Sequence, residues 1–436
     1  MGGARTRIDR ISQEINTDVL VVGGGLAGVA AAVAAARNGA SVLLAEREGC
    51  LGGMATIGLV NPFMPYGVWV GDWRQDLDRP VNAGWFRELL EALDAEGGLE
   101  PEGRQTFDEE ILKLVLDRMC RNAGVRVLFH TMLTDVEREG DAVRSVVLSG
   151  KSGQMAVRAT CYVDASGDAD LTALAGCPFH LGRGADGLCQ PMTTCFRVMG
   201  IDTALFDMNR DHDALNRAWQ AYREKNPVRN PRGDVLVFRH MAEGVLHINS
   251  TRIPGRMPVD AWALSEAEME GREQVFELHR FLRETMPGFE RSRVMMSAAH
   301  VGIRESRRIV GETEVTAEDL LSCRKYPDAI ARGTYPVDIH DPAGGGTLLK
   351  PIPYGDWYTV PLRALVPKGM HNLIVAGKPI SATHEAHAST RVLPICACVG
   401  EAAGVAAALA VKTGLPLQRV SAAEVQAIIE ANGGLC

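Results

Sequence analysis

The chain contains 436 residues, of which 46% are apolar, and it carries a formal net charge of −8. A chain of this size can bury a large core, and its length favours two domains. The acidic balance, with no basic run, argues against a nucleic-acid partner. No segment holds the ~18 uninterrupted apolar residues typical of a membrane helix, and residues 1–17 lack the apolar centre of a signal peptide. We therefore expect a cytoplasmic protein with no membrane partner.

Residues 18–46 combine a predicted strand, a glycine turn, a helix over 26–37 and a second strand that ends in an acid. In this pattern Gly23 allows a tight turn, Gly25 lets the backbone approach a pyrophosphate, and Gly28 lets helix and strand pack closely. The helix start presents free amides and a positive dipole end to phosphate. The final acid can accept hydrogen bonds from ribose hydroxyls and disfavours a 2′-phosphate. The predicted dinucleotide contacts are Gly23, Gly25, Leu26, Ala27, Gly28 and Glu46.

A second glycine pair follows this unit, at Gly52 and Gly53, and permits a second close approach to a diphosphate. Nicotinamide-binding domains do not need such an element. With Arg47, the pair resembles the Arg-x-x-x-x-Gly-Gly motif of FAD-binding oxidoreductases of the glutathione-reductase fold. The resemblance implies FAD as the cofactor, with Arg47, Gly52, Gly53 and Met54 among its contacts.

Three further segments are similar to FAD-dependent oxidoreductases. The strand and turn at 162–168 resemble the family turn beside adenosine and pyrophosphate, which implies contacts from Ala165, Ser166, Gly167 and Asp168. Helix capping stays open as another role for Asp168. The segment 372–381 resembles the strand and turn at the ribityl chain, which implies Gly377 and Lys378, although many relatives have an acid after the glycine. The segment 384–404 also resembles this family, which implies Gly400 as a further FAD contact.

The resemblance implies an α/β architecture, in which a Rossmann-like FAD-binding domain of glutathione-reductase type carries a second, mixed α+β substrate domain. The FAD-binding domain is predicted to comprise residues 16–60, 105–180 and 363–415. Residues 61–104 and 181–362 are predicted to form the substrate or cap domain, and residues 1–15 and 416–436 the terminal segments. No second GxGxxG motif follows a strand, which disfavours a separate NAD domain.

Several elements are predicted within these domains. Strands near 143–148 and 155–159 are expected to form a small antiparallel layer across the parallel sheet. Strands near 235–240 and 245–249 are expected to form an antiparallel floor over the flavin. A helix over 265–284 is predicted to start with a capping box at Ser265 and Glu268. Its predicted inward face comprises Met269, Val275, Phe276, Leu278 and Leu282.

Catalytic candidates lie in the segments around 304 and 384–391, close to a helix start that the resemblance places at the flavin pyrimidine edge. A histidine can take a proton while flavin N5 takes a hydride, and an arginine can bind a carboxylate. His384 is the first candidate and Arg391 the second, followed by Arg304 and His387. A structural hydrogen bond remains the alternative for each histidine. Glu305 is predicted to orient an arginine rather than to act as a base.

The leading hypothesis is an FAD-dependent dehydrogenase or reductase that transfers hydride between flavin N5 and a small polar substrate. The alternatives are a monooxygenase or oxidase that uses oxygen, and a protein whose flavin is structural or serves electron transfer. The ten cysteines contain no CxxC pair, so no metal site is predicted. The electron donor or acceptor and the oligomeric state, including a homo-oligomer, stay open.

Overall fold

The fold is built around a seven-stranded sheet in the computed structural model, which describes residues 11–71, 74–344 and 346–436. Of the predicted terminal segment 1–15, residues 1–10 lie outside the described residues. The elements of the first half are β1 Ile11–Val22, α1 Leu26–Arg37, β2 Val42–Ala45, β3 Gly67–Gly71, β4 Arg74–Pro80, α2 Trp85–Ala95, α3 Glu109–Asn122, β5 Arg126–Leu128, β6 Met132–Glu139, β7 Ala142–Gly150, β8 Gly153–Asp164, α4 Asp170–Leu174, β9 Phe179–Leu181, β10 Phe196–Met199 and α5 Met208–Lys225.

The second half completes this sheet and adds a smaller one. Its elements are β11 Val237–Arg239, β12 Val245–Ile248, α6 Ala261–Thr285, β13 Arg293–Ser297, β14 Arg307–Ile309, α7 Ala317–Leu321, β15 Ala329–Gly333, β16 Val337–His340, β17 Thr347–Lys350, β18 Tyr358–Pro361, β19 Leu373–Val375, α8 His384–Thr390, α9 Leu393–Thr413 and α10 Ala422–Ala431.

The main sheet has the strand order β5-β2-β1-β8-β7-β6, and β19 also pairs with β8. Strands β5, β2, β1, β8 and β19 run parallel, so their carboxyl ends meet at one edge. In open parallel sheets that edge is where ligands bind. The predicted Rossmann-like α/β character is confirmed. The predicted helix over 26–37 is also confirmed, as α1.

Strand β8 differs from its prediction because it is one long strand. Its whole length pairs with β1 in parallel, and its first residues also pair with β7 antiparallel. The antiparallel hairpin of β6 and β7 therefore extends the main sheet rather than crossing it as a separate layer. Strand β1 begins at Ile11, which pairs with Gln154 of β8, so residues 11–15 of the predicted terminal segment belong to this strand.

The smaller sheet has the order β11-β12-β10-β13 and is antiparallel throughout, as predicted for β11 and β12. Helices α5 and α6 pack on it and enclose a separate apolar core. That core draws its buried residues from 196–289, a narrower span than the predicted cap. In contrast, α2, which lies in the predicted cap segment 61–104, packs into the core of the main sheet.

Helix α6 corrects two predictions. It begins at Ala261 with Asp260 as its N-cap, and Ser265 lies inside the helix with its hydroxyl bonded to the Ala261 carbonyl, so the predicted capping box is wrong. Met269 and Phe276, predicted to face inward, are 57% and 58% exposed. The remaining members of the predicted face are buried: Val275, Leu278 and Leu282.

Helix α9 is long and apolar enough to cross a membrane by length and composition, although Glu401 interrupts its apolar sequence. In the fold, 94% of its most apolar window is buried against protein. Its Gly400 and Gly404 pack on Ala27 and Ala31 of α1, where an added Cβ would lie 2.2 and 2.1 Å from the two carbonyl oxygens. The pair of glycines thus brings two core helices into close contact.

Candidate functional site

In the glycine turn after β1, two positions have no space for a side chain and one position has space. A Cβ on Gly23 would lie 2.3 Å from the Ala165 carbonyl oxygen, and a Cβ on Gly28 would lie 1.9 Å from the Gly23 carbonyl oxygen. Gly23 also has φ of +103°. A Cβ on Gly25 would meet nothing within 4 Å among the described residues. The turn therefore has room for another group at Gly25.

Helix α1 begins at this open position. Gly25 is its N-cap residue and gives no side-chain hydrogen bond, so the first amides of the helix, including those of Leu26 and Ala27, have no side-chain cap. The first four amides of a helix have no partner within the helix and attract anions. A phosphate group at Gly25 would satisfy them.

The acid after β2, Glu46, accepts hydrogen bonds from two neighbouring backbone amides. Buried Glu46 accepts hydrogen bonds from the Gly24 amide at 2.5 Å and from the Glu48 amide at 2.9 Å, one at each carboxylate oxygen. A carboxylate has about four lone-pair sites, so capacity remains for hydroxyl donors. Arg47 is half exposed, and its Nε lies 3.3 Å from the Glu48 Oε1.

The second glycine pair lies directly on the first glycine turn. The Gly52 amide donates to the Gly24 carbonyl at 2.8 Å, and Gly52 pairs with Gly25 in an isolated parallel bridge. A Cβ on Gly53 would lie 3.0 Å from the Gly25 Cα. Met54 follows in a short 3-10 turn. The two glycine elements therefore form one continuous backbone surface around the open position.

The turn after β8 is stabilised by its own side chains. Buried Asp164 accepts hydrogen bonds from the amide and hydroxyl of Ser166 and from those of Thr172. Ala165 continues the sheet through a hydrogen bond to Val22, and Gly167 adopts φ of +84°. These contacts fix the turn beside the glycine elements.

Asp168 forms an ion pair with Lys378, the residue that departs from the family pattern. The Lys378 ammonium donates to the Asp168 carboxylate and to the Ile303 carbonyl, both at 2.9 Å. Burial works to raise the pKa of Asp168, but the charge of Lys378 and a hydrogen bond from Ser306 outweigh it and lower the pKa. Helix α4 has Ala169 as its N-cap residue, without a side-chain cap, so Asp168 does not cap this helix.

Gly377 and Gly400 both lie against Ala27 of α1. Gly377 has φ of +91°, and a Cβ there would lie 3.1 Å from the Ala27 Cβ. Gly400 lies in the helix contact described above, so helix packing accounts for it without a ligand. The structure thus brings the ribityl-turn candidate, Gly377, next to the N-terminal glycine turn.

His384 is held by a buried carboxylate. Its Nδ1 lies 2.8 Å from Glu305, which also receives hydrogen bonds from the Arg308 guanidinium and the Gln190 backbone amide. Glu305 is completely buried, and its role as a partner of arginine is confirmed. If His384 donates from Nδ1 to the carboxylate, Nε2 is left as a proton acceptor. No hydrogen bond joins Nε2 to another residue in the part of the chain described.

His387 has a different environment from His384. It is fully buried, and both of its ring nitrogens lack a hydrogen-bond partner among the described residues, as does the hydroxyl of Thr390. Burial, with the charges of Arg308 and Arg391, lowers the pKa of His387 well below its usual value. Since residues three apart share a helix face, α8 presents two unsatisfied polar groups on one side. A bound molecule with polar atoms would satisfy them.

Arg304 and Arg391 lie around a second polar cluster, which we call the Asp338 cluster and define as Tyr335, Asp338 and His340. The Asp338 carboxylate accepts from the Tyr335 hydroxyl at 2.9 Å and lies 3.4 Å from His340 Nε2 and 3.6 Å from Arg391. Burial works to raise the pKa of Asp338, but these three partners outweigh it and lower the pKa. Burial and the charge of Arg304 lower the pKa of His340 to about 3.

The Asp338 cluster was missed by the sequence analysis. Its residues come from β15–β16 and approach α8 only through the fold, and no motif links them to the flavin segments. The one available signal is the alternation in β16, which puts Asp338 and His340 on the same face of a strand. Arg252, also missed, donates to His340 Nδ1 at 2.9 Å.

The two close cysteines have inert surroundings. Cys396 and Cys398 are buried in α9, and burial raises the pKa of each thiol to about 12. A thiol reacts as its thiolate, so neither is activated at neutral pH. Packing within α9 therefore accounts for both.

Comparison with known proteins gives a family match over most of the chain. The model of a family described as FAD dependent oxidoreductase matches residues 18–429. The thiamine thiazole synthase of Aeropyrum pernix is 30% identical over 158 residues, which are 36% of this chain and 53% of the synthase. The match thus spans about half the length of that relative.

Solved structures similar to this chain have low sequence identity. A geranylgeranyl bacteriochlorophyll reductase-like protein from Thermoplasma acidophilum is 16% identical, with 96% of this chain and 83% of that chain covered and a TM-score of 0.46. The p-nitrophenol 4-monooxygenase of Pseudomonas putida is 13% identical, with coverages of 97% and 89% and a TM-score of 0.46. A flavin-dependent brominase is 14% identical, with coverages of 96% and 84% and a TM-score of 0.49.

Proposed function

The chain belongs to the FAD dependent oxidoreductase family, and we propose that it exchanges hydride between FAD and a small polar substrate, with His384 as the proton-transfer residue. Family membership establishes an oxidoreductase enzyme with FAD as its cofactor. The single observation that carries the finer proposal is the hydrogen bond between His384 and buried Glu305, which leaves one ring nitrogen available to a substrate.

The residues present fit FAD in three respects. Gly25 leaves open space at the uncapped start of α1, where the pyrophosphate would bind. Glu46 lies beside this turn and would accept from ribose hydroxyls. His387 and Thr390 would donate to or accept from polar atoms of the cofactor, since they have no other partners among the described residues. We further propose the glutathione-reductase type of FAD domain, with Gly52 and Gly53 against the diphosphate.

The chemistry of the site follows from the tautomer of His384. Bound FAD supplies a hydride acceptor or donor at its N5 atom. In the oxidative direction, a substrate C–H bond loses hydride while an O–H or N–H group on the same carbon loses its proton to His384 Nε2, which leaves a C=O or C=N bond. The charge of Glu305 stabilises the resulting imidazolium and holds the ring in place. In the reductive direction His384 returns the proton.

The start of helix α9 fits the same arrangement. Its N-cap residue, Val392, gives no side-chain hydrogen bond, and Pro394 lies in its first turn. The sequence resemblance places this helix start at the pyrimidine edge of the flavin. There its positive dipole end would stabilise the negative charge that reduction adds. Helix α8 ends at Thr390 and α9 begins at Leu393, so Arg391 and Val392 separate two helices.

A test measures anaerobic reduction of the purified holoenzyme by a panel of small alcohols, amines and activated alkenes, from the loss of the visible flavin band. With a reducing substrate, His384→Gln is expected to slow single-turnover reduction by ~10²- to 10⁴-fold. FAD content should not change. The matched control is His371→Gln, because His371 is exposed and lies outside the site.

Two outcomes would overturn the proposal. The first is unchanged single-turnover reduction in His384→Gln. The second is a flavin that no panel member reduces or reoxidises without oxygen, together with stoichiometric oxygen uptake once a reduced nicotinamide is added. That second outcome would assign the enzyme to the monooxygenases.

A further inference from the structure

Arg304 forms no ion pair with a carboxylate within the described part of the chain. Its guanidinium donates to the Pro191 carbonyl at 2.8 Å and to the Thr193 hydroxyl, and approaches the Asn249 amide oxygen at 3.5 Å. All three acceptors are neutral, and no ion pair to Arg304 occurs among the described residues. Burial, with repulsion from Arg391 and Arg232, lowers its pKa to about 9. Arg304 therefore stays charged at neutral pH.

Arg391 is only partly compensated. Its nearest carboxylate oxygen, on Asp338, is 3.6 Å away and also serves Tyr335 and His340. Its Nη2 reaches the Asp338 carbonyl at 3.4 Å, while its Nε is buried without a partner in the described chain. A carboxylate shared among three donors leaves room for a second anion beside Arg391.

The buried residue Gln190 connects the Asp338 cluster with the carboxylate that holds His384. Its side-chain oxygen accepts from the His340 backbone amide at 3.2 Å, and its backbone amide donates to Glu305 at 2.9 Å. Gln190 is buried, and its Nε2 has no acceptor among the described residues. Gln190 therefore lies between the proton-transfer residue and the Asp338 cluster, with an unsatisfied donor.

The unsatisfied side-chain atoms of Arg391 and Gln190 share one chemical property, because both are N–H donors, one on a cation and the other on an amide. Arg232 adds another: two of its nitrogens bind Asp234, and its buried Nη1 has no partner within the described ranges. An unsatisfied buried donor is costly, and a carboxylate offers acceptors only. A neutral or cationic ligand group would leave the excess charge in place.

We propose that Arg304 and Arg391 bind a carboxylate group of the substrate, and that the side-chain Nε2 of Gln190 donates to it. The inference deepens the proposed function and rests on it, because it assigns the substrate class of the same site: a small carboxylate-bearing molecule whose oxidisable or reducible carbon reaches His384. Guanidinium groups suit this task, since their planar donors match the two oxygens of a carboxylate.

The test measures ligand binding to the oxidised holoenzyme rather than turnover. Succinate and its neutral diamide, succinamide, are titrated while the visible flavin spectrum is recorded, and calorimetry gives an independent affinity. Succinate is expected to bind saturably and succinamide not to bind. Arg304→Gln and Arg391→Gln are each expected to weaken succinate binding by ~10- to 100-fold. Arg304→Lys should retain part of the affinity, because it keeps the charge but loses the planar donors.

The matched control is Arg272→Gln, because Arg272 is exposed on α6 and forms an ion pair with Glu268. FAD content and thermal unfolding of each variant show whether a loss of binding comes from misfolding; a variant that does not fold is replaced by Gln190→Leu, with the same expected direction. Equal binding of succinate and succinamide, no binding of succinate, or unchanged affinity in folded Arg304→Gln would each overturn the proposal.

The two proposals fail in different ways. If succinate binds through Arg304 but the flavin reacts only with oxygen, the anion site stands and the hydride-exchange function falls. If a neutral substrate reduces the flavin and carboxylates do not bind, the function stands and the anion site falls. A shift of the flavin potential in Arg304→Gln without any succinate binding would show that these charges serve the reduced flavin, which also overturns the anion site.

Discussion

Adding one methyl group at Gly25 should separate cofactor binding from folding. Gly25 has φ of −63° and ψ of 175°, which alanine adopts without strain, and its Cβ would contact nothing within 4 Å among the described residues. Gly→Ala at a compatible position adds about 0.4–1 kcal/mol of stability. Alanine is a poorer N-cap residue than glycine by a similar amount. We therefore expect the free energy of unfolding of Gly25→Ala apoprotein to stay within about 1 kcal/mol of the parent.

FAD affinity should respond very differently, because the methyl group occupies the space proposed for the pyrophosphate. A clash that costs about 3 kcal/mol of binding free energy weakens affinity about 100-fold. Calorimetric titration of apoprotein with FAD gives the dissociation constant, and denaturant unfolding of the same preparation gives stability. The matched variant is Gly28→Ala, whose Cβ would lie 1.9 Å from the Gly23 carbonyl oxygen. It should lose about 3 kcal/mol of stability.

The result that would refute this reasoning is a Gly25→Ala protein that binds FAD within about threefold of the parent affinity. The pyrophosphate would then bind away from this turn. A large loss of stability in Gly25→Ala, equal to that in Gly28→Ala, would show instead that the open space at Gly25 is filled by protein.

Three other changes have expected outcomes. Burial raises the pKa of Glu401 from 4.5 to about 7, so the folded state binds more protons than the unfolded state between these pH values, and its free energy of unfolding falls by up to about 3 kcal/mol as pH rises through them. In denaturant unfolding at several pH values, Glu401→Gln should show a smaller fall. An unchanged dependence of stability on pH would contradict this prediction. Lys378→Met should destabilise by about 3 kcal/mol because it leaves Asp168 unpaired; adding Asp168→Asn should restore part of the loss, and simple additivity would argue against coupling. His387→Leu should stabilise the apoprotein by about 1 kcal/mol, by removing unsatisfied buried nitrogens, while weakening FAD binding; unchanged FAD affinity would exclude a cofactor contact.

The glycine turn after β1 could be predicted because its determinants are local. Strand, glycines, helix and acid follow one another within residues 18–46, and each needs only its neighbours to adopt its conformation. The resemblance then supplied the distant segments. The structure places the glycine pair, the β8 turn and the Gly377 turn against the same turn, and Gly400 lies in the contact between α1 and α9.

The catalytic side was less predictable because its contacts are long-range. The contact of His384 with Glu305 spans 79 positions in the chain, and the ion pair of Lys378 with Asp168 spans 210. No spacing rule encodes such pairs. The α6 face was wrong for another reason: Met269 and Phe276 are apolar, but apolar side chains also occur on protein surfaces, so hydrophobicity alone did not fix their direction.

The contact between α1 and α9 has a consequence for how the chain is made. Helix α1 ends at Arg37, and α9, which packs on it, begins only at Leu393. The alanine-rich face of α1 therefore stays uncovered until more than 350 further residues have been synthesised, on the order of the whole distance between the two helices in the chain. Until then the side of α1 that packs on α9 lacks its partner, and such exposed surfaces favour aggregation. Early release or slow synthesis near Leu393 should therefore be unusually damaging, and chaperone capture should concentrate on nascent chains that stop before α9.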